Sequence, residues 1–209
     1  MKAVMISIQP KWCELIASGK KTVEVRKTRP KLETPFKCYI YCTKGRGDCL
    51  WRWDGICYDT QFPNERPNRL DGKVIGEFVC DRICTSGWFC TPDHPLWKDG
   101  YNKNYCLTNR ELYEYSKGGI FYEWHISDLV IYDKPRELSE FFLARHCFNY
   151  KNVDIVENVM GDYVTQYFNN PLCRRCIYYD NGLNWCEKID GKKAITRPPQ
   201  SWCYVEVQG

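Results

Sequence analysis

The residues from Gly19 to Lys27, GKKTVEVRK, combine five charged side chains with the periodicity of a half-buried strand. Side chains of a strand alternate between two faces, so Thr22, Glu24 and Arg26 share one face and the two valines share the other. Lys21 falls on the valine face. If the valines contact a core, the charged face points either to water or into a cleft, because charges are rarely buried unless they are paired. The pattern predicts a strand and marks the first candidate functional surface.

The charged strand completes a compact strand–helix–strand unit. The apolar residues 3–8 predict a strand, and Pro10 stands at a position suited to the first turn of a helix. Apolar side chains follow at helical spacing, and Gly19 is placed to end that helix. The chain then turns directly into the charged strand.

Further elements are predicted along the rest of the chain. Alternating or apolar runs indicate strands at residues 36–43 and 74–80, one or two strands between 120 and 132, and a final strand from 202 to 207. Thr108 followed by Glu111 predicts a capping box at the start of a short helix. Pro135 predicts the start of another helix, with apolar side chains at core spacing after it.

The composition indicates a folded, soluble protein of the cytoplasm. With 209 residues, 44% hydrophobic and 15% aromatic, the chain is long enough for one domain with insertions. No apolar run approaches membrane-spanning length, and the N-terminus lacks the apolar core of a secretion signal, so we expect no membrane partner. The net charge of +4 permits a polyanionic partner without the basic excess of a protein that wraps duplex.

Residues 44–72 have the composition of a long loop. The segment is rich in Gly, Asp, Asn, Pro and Arg, and it contains Arg46, Trp51, Arg52 and Trp53. Long loops without structure of their own are usually functional or disordered. Interleaved arginine and tryptophan is typical of a surface that stacks nucleobases. The alternative is a loop whose tryptophans fold back on the core.

The order of several short motifs carries a family resemblance. SIQP, a helix, GKKTVEVRK, YIYCT, GKVIGEF, WHISDL and PPQSWCYVEV follow one another along the chain. In this order they resemble the ASCH domain proteins, a branch of the PUA-like superfamily, particularly the small forms found in phage and prophage. The most specific part is G-x-K-x-x-E-x-R, met by Gly19, Lys21, Glu24 and Arg26.

The resemblance implies an α+β fold, a small mixed β-barrel with flanking helices. In this interpretation residues 1–142 form the barrel, residues 143–195 form a cysteine-rich insertion, and residues 196–209 supply a C-terminal strand that closes the barrel. It also implies a cleft beside the charged strand, suited to RNA, a nucleoside or a nucleobase. We therefore expect a module that binds RNA or a modified nucleobase.

The chemistry of the expected cleft follows from its residue types. A lysine and an arginine supply positive charge for a phosphate, and the arginine can form two parallel hydrogen bonds. A glutamate can accept hydrogen bonds from the exocyclic amine of a cytosine-like edge, and a threonine adds a hydroxyl. Tryptophans of the long loop can stack on an unpaired base. The predicted ligand-binding residues are Lys21, Thr22, Glu24, Arg26, Trp51 and Trp53.

An enzyme is the alternative. A bacterial relative with the ASCH fold resembles an amidohydrolase that removes the acetyl group from N4-acetylcytidine with a lysine, a threonine and a glutamate. Lys21 stands at the position of that lysine, but Glu24 stands at that of the threonine, and a carboxylate cannot replace a hydroxyl nucleophile without a change of chemistry. Glu111 and Glu114 are candidates for the partner glutamate. A ribonuclease would use Lys21 and Glu24 with His125 as its acid and base.

The fourteen cysteines indicate metal binding or buried thiols, because disulfides are rare in a reducing compartment. CRRC supplies Cys173 and Cys176 at the short spacing that tetrahedral zinc coordination uses, and Cys186 follows nine intervening residues later.

A fourth ligand would complete a structural zinc site in the insertion. Cys147 is the predicted fourth ligand, with His146 and Cys203 as substitutes. A zinc ion with four cysteines has no open position for water, so it would join the insertion to the barrel without doing chemistry. The alternatives are four reduced thiols in a small apolar subdomain or, ranked below both, an iron–sulfur cluster.

Overall fold

The structure is a computed structural model, and it describes residues 3–45, 48–52, 54–60, 68–143, 179–180, 185–186 and 199–207. Its elements in chain order are β1 Ala3–Ile8, α1 Pro10–Ala17, β2 Val23–Arg26, β3 Phe36–Cys42, β4 Cys49–Arg52, β5 Ile56–Asp59, β6 Val74–Ser86, β7 Tyr101–Asn102, β8 Leu107–Thr108, α2 Asn109–Ser116, β9 Phe121–Arg136, a turn of 3-10 helix Leu138–Glu140, β10 Phe141–Leu143, β11 Tyr179–Asp180, β12 Trp185–Cys186 and β13 Trp202–Val207.

A mixed seven-stranded sheet organises the described residues, in the order β10-β13-β1-β3-β6-β9-β2. β1 and β3 are parallel, and the other neighbouring strands in this sheet are antiparallel. The prediction of a mixed sheet with few helices is therefore confirmed. No helix in the described ranges is long and apolar enough to cross a membrane.

The prediction of a closed barrel is wrong for the part of the chain that the structure describes. β1 is hydrogen-bonded along both of its edges, to β3 and to β13, so it has no free edge for β2. The C-terminal strand β13 therefore widens the sheet beyond β1 and does not close it. β2 and β10 are the two outer strands.

The sheet nevertheless curls until β2 meets the end of β1. Three strands separate β2 from β1 in the sheet order. Even so, Arg26 of β2 donates a hydrogen bond from Nη2 to the carbonyl oxygen of Ser7 in β1, at 2.6 Å. A side chain thus bridges the place where a barrel would be closed by backbone hydrogen bonds.

The core lies on both faces of the central strands. Val4, Ile6 and Ile8 of β1 pack in the main cluster with Cys13 and Ile16 of α1. The opposite face of β1 contributes Ala3 and Met5 to a second cluster that includes the Phe141 side chain. A strand covered on both faces is typically a nearly continuous apolar run, and residues 3–8 are apolar except for Ser7. The predictions of β1 and α1 are confirmed.

Gly19 makes the turn from α1 into the charged segment. Its φ of +72° lies in the left-handed region, which glycine adopts without a steric penalty. The turn is further fixed by the Lys21 N–H, which donates to the Leu15 carbonyl oxygen at 2.9 Å. The strand that follows begins only at Val23. Lys21 therefore precedes β2, and the alternation predicted for it does not apply.

The predicted capping box at α2 is confirmed. The Thr108 hydroxyl accepts a hydrogen bond from the Glu111 N–H, and the Glu111 carboxylate accepts one from the Thr108 N–H. Two backbone donors at the start of the helix are thereby satisfied. Leu112 of α2 packs with Val25 of β2 and Phe121 of β9, so α2 covers the valine face of β2.

The prediction of a helix after Pro135 is wrong. Pro135 lies near the end of β9, which runs to Arg136, and a short 3-10 turn and β10 follow it. β2 pairs only with residues 122–125 of β9, so the distal part of β9 has a free edge among the described strands. A proline, which lacks an N–H, is tolerated on such an edge.

The prediction of an irregular loop between residues 44 and 72 is also wrong where the structure describes it. β4 and β5 form an antiparallel hairpin, in which Trp51 is paired with Cys57. Leu50 is fully buried, and Ile56 packs against the main core. The segment folds back on the core through Leu50 and Ile56, whereas the alternative interpretation expected its tryptophans to do so. The predicted insertion, 143–195, lies outside the described residues except for 143, 179–180 and 185–186.

Candidate functional site

A cavity of about 550 Å³ lies in the gap between β2 and the end of β1. Its lining comes from both edges of the gap and from both helices: Ser7, Ile8, Gln9, Trp12, Lys21, Glu24, Val25, Arg26, Thr43, Leu107, Glu111, Glu114, Tyr115 and Gln200. A second hollow of about 420 Å³ is lined by one loop, residues 29–33. That hollow brings together no residues distant in the sequence, so the gap cavity is the stronger candidate site.

A buried cluster of three charged side chains, Lys21, Glu24 and Arg26, lines the cavity. Their exposed fractions are 3%, 7% and 9%. The Glu24 carboxylate lies between the two cations, with Oε1 3.0 Å from Arg26 Nη2 and Oε2 3.5 Å from Lys21 Nζ. Lys21 Nζ also donates to the Tyr105 carbonyl oxygen at 2.8 Å. The three charges are thus paired, as buried charges are expected to be.

The Arg26 guanidinium joins three segments of the chain. Nη2 contacts both Glu24 and the Ser7 carbonyl oxygen, and Nη1 donates to the Ser201 hydroxyl at 3.3 Å. Nε is buried and has no hydrogen-bond partner among the described residues. A planar, always charged group with several donors suits this bridging position better than a lysine would.

The cluster is backed by apolar core. Cys13 of α1 is fully buried, and burial, followed by its hydrogen bond with Cys42, raises the pKa of the thiol well above its ordinary value. The charges of Glu24 and Arg26 also act on this thiol. Low polarity behind the three charged groups strengthens the electrostatic interactions between them.

One wall of the cavity, formed by α2, is acidic. Glu111 and Glu114 are three residues apart and therefore share a face of the helix. Hydrogen bonds from the backbone and side chain of Thr108 lower the pKa of Glu111. Together with Glu24 these residues place three carboxylates around the cavity against the two cations Lys21 and Arg26.

Two aromatic rings face the cavity from opposite helices, Trp12 of α1 and Tyr115 of α2. Lys11 Nζ lies 4.8 Å and Lys21 Nζ lies 5.3 Å from the centre of the Trp12 ring. Lys27 Nζ lies 4.9 Å from the centre of the Tyr115 ring. Both rings thus carry ammonium groups at cation–π distance.

Part of the sequence around the cavity is similar to a known family. The model of the ASCH domain family matches residues 6–62. The ASCH match contains α1, β2 and the end of β1, and with them the Lys21, Glu24 and Arg26 cluster. None of the curated proteins matches the sequence.

Solved structures of an ASCH protein from Zymomonas mobilis are similar to the chain. A variant with tyrosine replaced by phenylalanine has a TM-score of 0.43 at 21% identity, over 66% of this chain and 77% of that chain. The structure named simply as ASCH has a TM-score of 0.42 at 20% identity, over 65% of this chain and 73% of that chain. A serine-to-alanine variant has a TM-score of 0.42 at 20% identity, over 65% and 74%.

The structure brings together three of the predicted ligand-binding residues, Lys21, Glu24 and Arg26. Thr22 is not among the residues that line the cavity, and its carbonyl oxygen accepts a hydrogen bond from Ile126. Trp51 belongs to the hairpin and is likewise not in the lining. Trp53 lies outside the described residues.

Some of the residues predicted as catalytic candidates line the cavity and others do not. Glu111 and Glu114 line the cavity beside Lys21. His125 does not line it; its Nδ1 lies 2.6 Å from Asp81 Oδ1 on the neighbouring strand β6. A ribonuclease mechanism with His125 as acid or base therefore lacks support from the position of that side chain.

Sequence reasoning did not assign to the site several residues that line it: Ser7, Gln9, Trp12, Tyr115 and Gln200. The motifs SIQP and PPQSW contained a signal, because both carry polar side chains next to prolines and both belong to the series of motifs that carries the resemblance. The Ser7 hydroxyl donates to the Pro199 carbonyl oxygen at 2.6 Å, so these two motifs meet.

The predicted zinc ligands are not described. Cys147, Cys173 and Cys176 lie outside the described residues, as does His146, and of Cys186 the structure gives the backbone only. Cys203 is described, and burial raises the pKa of its thiol to about 12. The ten cysteines with described side chains are free thiols, and no group of three metal-ligating side chains occurs in the described part of the chain.

Proposed function

We propose that the protein is an RNA- or nucleobase-binding module of ASCH and PUA-like type, and that the gap cavity receives the base. The observation that carries the proposal is the buried Glu24 carboxylate, held between Lys21 and Arg26 in the lining of a cavity of about 550 Å³. Sites for small ligands commonly have volumes of about 300–1,000 Å³. A fixed polar group in such a cavity is the usual device that orients a ligand.

Glu24 can accept further hydrogen bonds. An ionised carboxylate has about four lone-pair sites. The two ion pairs of Glu24 engage one interaction at each oxygen, so acceptor capacity is left over. The exocyclic amines of cytosine and adenine are donors that such a carboxylate pairs with.

Lys21 and Arg26 are better placed to orient Glu24 than to bind a phosphate. Lys21 Nζ has three donors, of which the Tyr105 carbonyl oxygen and Glu24 take two. The third can reach a ring nitrogen or carbonyl oxygen of a base. A phosphate in the cavity would meet three carboxylates, which favours a base in the cavity and phosphates outside it.

The rings of Trp12 and Tyr115 offer stacking partners for the base. Base–aromatic stacking contributes about 1–3 kcal/mol per base in single-stranded nucleic acid complexes. A contribution from Trp51 and Trp53 remains a prediction, and it would require a ligand that extends from the cavity to the β4–β5 hairpin.

The test compares Lys21→Met with Lys20→Met by calorimetric titration of a panel of modified and unmodified nucleosides. Lys20 is exposed and next to Lys21 in the sequence, so it is a matched control. We expect saturable binding by the wild type and by Lys20→Met, and about 5- to 150-fold weaker binding by Lys21→Met, since one good base contact is worth about 1–3 kcal/mol. Absence of saturable binding across the panel would overturn the proposal.

A second variant separates ligand contact from stability. Gln200 lines the cavity and is exposed, so Gln200→Ala removes a lining side chain at little cost in stability. We expect it to weaken binding while its melting temperature stays close to that of the wild type. Unchanged affinity in both Gln200→Ala and a folded Lys21→Met would show that nucleosides bind elsewhere.

The competing function is hydrolysis, of an N4-acylated cytidine or of RNA, with Lys21 and Glu24 as the catalytic groups. The supporting observation is that Glu111 and Glu114 join Lys21 in the cavity lining. Chromatography of the same nucleosides after incubation measures it. Product that forms with the wild type and not with Lys21→Met would favour the enzyme, and binding without product would favour the binding module.

A structural zinc ion in the insertion is a separate part of the proposal. It is supported by the spacing of Cys173, Cys176 and Cys186, with Cys147 as the fourth ligand. Elemental analysis of protein purified without chelator tests it. We expect one zinc per chain, and a Cys173→Ser/Cys176→Ser variant that has lost it. Zinc well below one equivalent in the wild type would refute the proposal.

A further inference from the structure

We propose that the cavity selects a positively charged nucleobase over a neutral isomer of the same base. The ligand class is a base alkylated on a ring nitrogen, such as 1-methyladenine or 3-methylcytosine. This inference rests on the proposed function, because it names which bases the same cavity prefers.

The charge of the side chains that line the cavity is the first argument for selection of a cationic base. Among the lining side chains, three carboxylates, Glu24, Glu111 and Glu114, stand against two cations, Lys21 and Arg26, which leaves one negative charge in excess. The ammonium groups of Lys11 and Lys27 do not line the cavity, but they lie over its two rings, and the charge of Lys11 acts on Glu111. The two cations are paired with Glu24, and Arg26 has further hydrogen bonds to Ser7 and Ser201. The excess charge therefore resides on the α2 wall.

The α2 wall holds its two carboxylates in different ways. Glu111 is fixed by the capping box with Thr108, which keeps the charged form at the N-terminal turn of the helix. Glu114, one turn later on the same face, has no ion-pair partner in the described part of the chain. A ligand that brings one positive charge would balance the single excess negative charge among the lining side chains.

The presence of two aromatic rings in the cavity lining is the second argument for selection of a cationic base. Trp12 and Tyr115 line the cavity, and each has a lysine ammonium over its face, Lys11 and Lys27 respectively, within 5 Å of the ring centre. A ring face that holds an ammonium can hold a flat cationic base instead, by stacking and by cation–π attraction. Lys11 and Lys27 are exposed, so their ammonium groups can move from the rings into water when a base enters the cavity.

The test uses pairs of methylated nucleosides that have the same non-hydrogen atoms and differ by the one proton that gives the first member its charge. 1-Methyladenosine is cationic at neutral pH and N6-methyladenosine is neutral; 3-methylcytidine and N4-methylcytidine form a second pair. Nucleosides carry no phosphate, so the comparison isolates the base. With the wild-type full-length chain in a calorimetric titration, we expect each cationic isomer to bind roughly tenfold more tightly than its neutral partner.

A Glu111→Gln/Glu114→Gln variant removes both negative charges of the α2 wall and keeps its shape. Glutamine can replace glutamate at the third position of a capping box, so α2 is retained. We expect the ratio of affinities within each pair to fall close to one, because the cationic isomer loses its electrostatic advantage. Glu33→Gln, at an exposed carboxylate that does not line this cavity, is the control and should keep the ratio of the wild type.

The outcomes separate this inference from the proposed function. Equal affinity for the two isomers, tighter binding of the neutral isomer, or a ratio unchanged in the Glu111→Gln/Glu114→Gln variant would each overturn the charge selection and leave nucleobase binding in place. Failure of all four nucleosides and their unmodified parents to bind would overturn both.

Discussion

Replacement of Glu24 by glutamine would test the structural role of the buried charged cluster. The substitution keeps the shape of the side chain and removes its negative charge. Lys21 and Arg26, which are 3% and 9% exposed, would then lie in one cavity wall without the carboxylate that separates them. Both cations would be largely desolvated and no longer neutralised.

The loss of unfolding free energy in Glu24→Gln depends on how many hydrogen bonds Lys21 and Arg26 retain. Removal of one partner from a buried ion pair typically costs about 3–5 kcal/mol. Arg26 would keep its hydrogen bonds to Ser7 and Ser201, and Lys21 would keep its bond to Tyr105, so we expect a value near the lower limit. A loss of about 3 kcal/mol corresponds to a melting temperature about 6–12 °C lower for a chain of this size.

Calorimetry and urea unfolding of the wild type, Glu24→Gln and Glu33→Gln measure the effect. Glu33 is exposed, so its substitution should change the free energy of unfolding by no more than about 0.5 kcal/mol. A double variant, Lys21→Met/Glu24→Gln, removes one cation together with the carboxylate. Its loss of stability should be smaller than the sum of the two single losses by about 0.5–3 kcal/mol.

The reasoning would be refuted by a melting temperature of Glu24→Gln within about 2 °C of the wild type, together with additive losses in the double variant. That result would mean that water reaches the cluster and screens it. The cavity would then be a surface cleft whose charged residues are individually solvated, and the case for a preorganised Glu24 would fail.

Three further predictions concern the sheet that builds the site. Arg26→Lys should lower the free energy of unfolding, measured by urea titration, by about 2 kcal/mol. A lysine cannot contact both Glu24 and the β1 carbonyl oxygen with one planar group. An unchanged midpoint of urea unfolding would contradict the role of Arg26 as a bridge between β2 and β1. Gly76→Ala should lower the free energy of unfolding by at least about 1–3 kcal/mol, because a Cβ there would overlap a carbonyl oxygen of β9. Gly87→Ala is the control and should be close to neutral, because the nearest atom to its Cβ would lie at 4.0 Å. Equal melting temperatures of the two variants would be inconsistent with this packing. Burial alone would raise the pKa of Glu77, but hydrogen bonds from Lys37 and Tyr132 outweigh it and lower the pKa. The ionised Glu77 therefore stabilises the fold above the ordinary glutamate pKa of about 4.3, and this stabilisation is lost as the pH falls below it. In acid unfolding followed by circular dichroism, Glu77→Gln should lose less stability between pH 5 and pH 3 than the wild type, and parallel curves would refute the assignment.

Elements specified by their own residues could be predicted from the sequence. β1 is apolar except for Ser7, α1 has a proline at its start and a glycine after its end, and α2 has the Thr108 and Glu111 capping box. In each case the determining interactions lie within a few residues of the element. Local rules are sufficient there.

Elements that depend on distant partners were predicted less well. Pro135 favours a helix start locally, but pairing of β9 with the long strand β6 keeps the segment extended. Residues 44–72 have a loop composition, yet Leu50 and Ile56 find apolar partners on the main core and a hairpin forms. Tertiary burial overrides weak local preference in both places.

In the candidate site, too, the residues that are contiguous in the sequence could be predicted, and those that come from distant segments could not. The motif around Lys21, Glu24 and Arg26 is contiguous and was recognisable as a candidate. Trp12 had the spacing of a core residue, and Tyr115 belongs to a helix almost ninety positions after the charged strand, where it donates from its hydroxyl to the Val25 carbonyl oxygen at 3.3 Å. No periodicity within one segment indicates that these two rings share a cavity.

The position of the cavity follows from the pairing of β1. If β13 did not occupy one edge of β1, that edge could accept β2, the sheet could close, and backbone hydrogen bonds would fill the gap. Because β3 and β13 take both edges, β2 reaches β1 only through the Arg26 side chain, and a side-chain bridge leaves space beside it. The space is lined by the charges that make the bridge, so the feature that prevents closure of the sheet also supplies the polar groups of the candidate site. Substitutions that weaken β13 should therefore change ligand binding as well as stability.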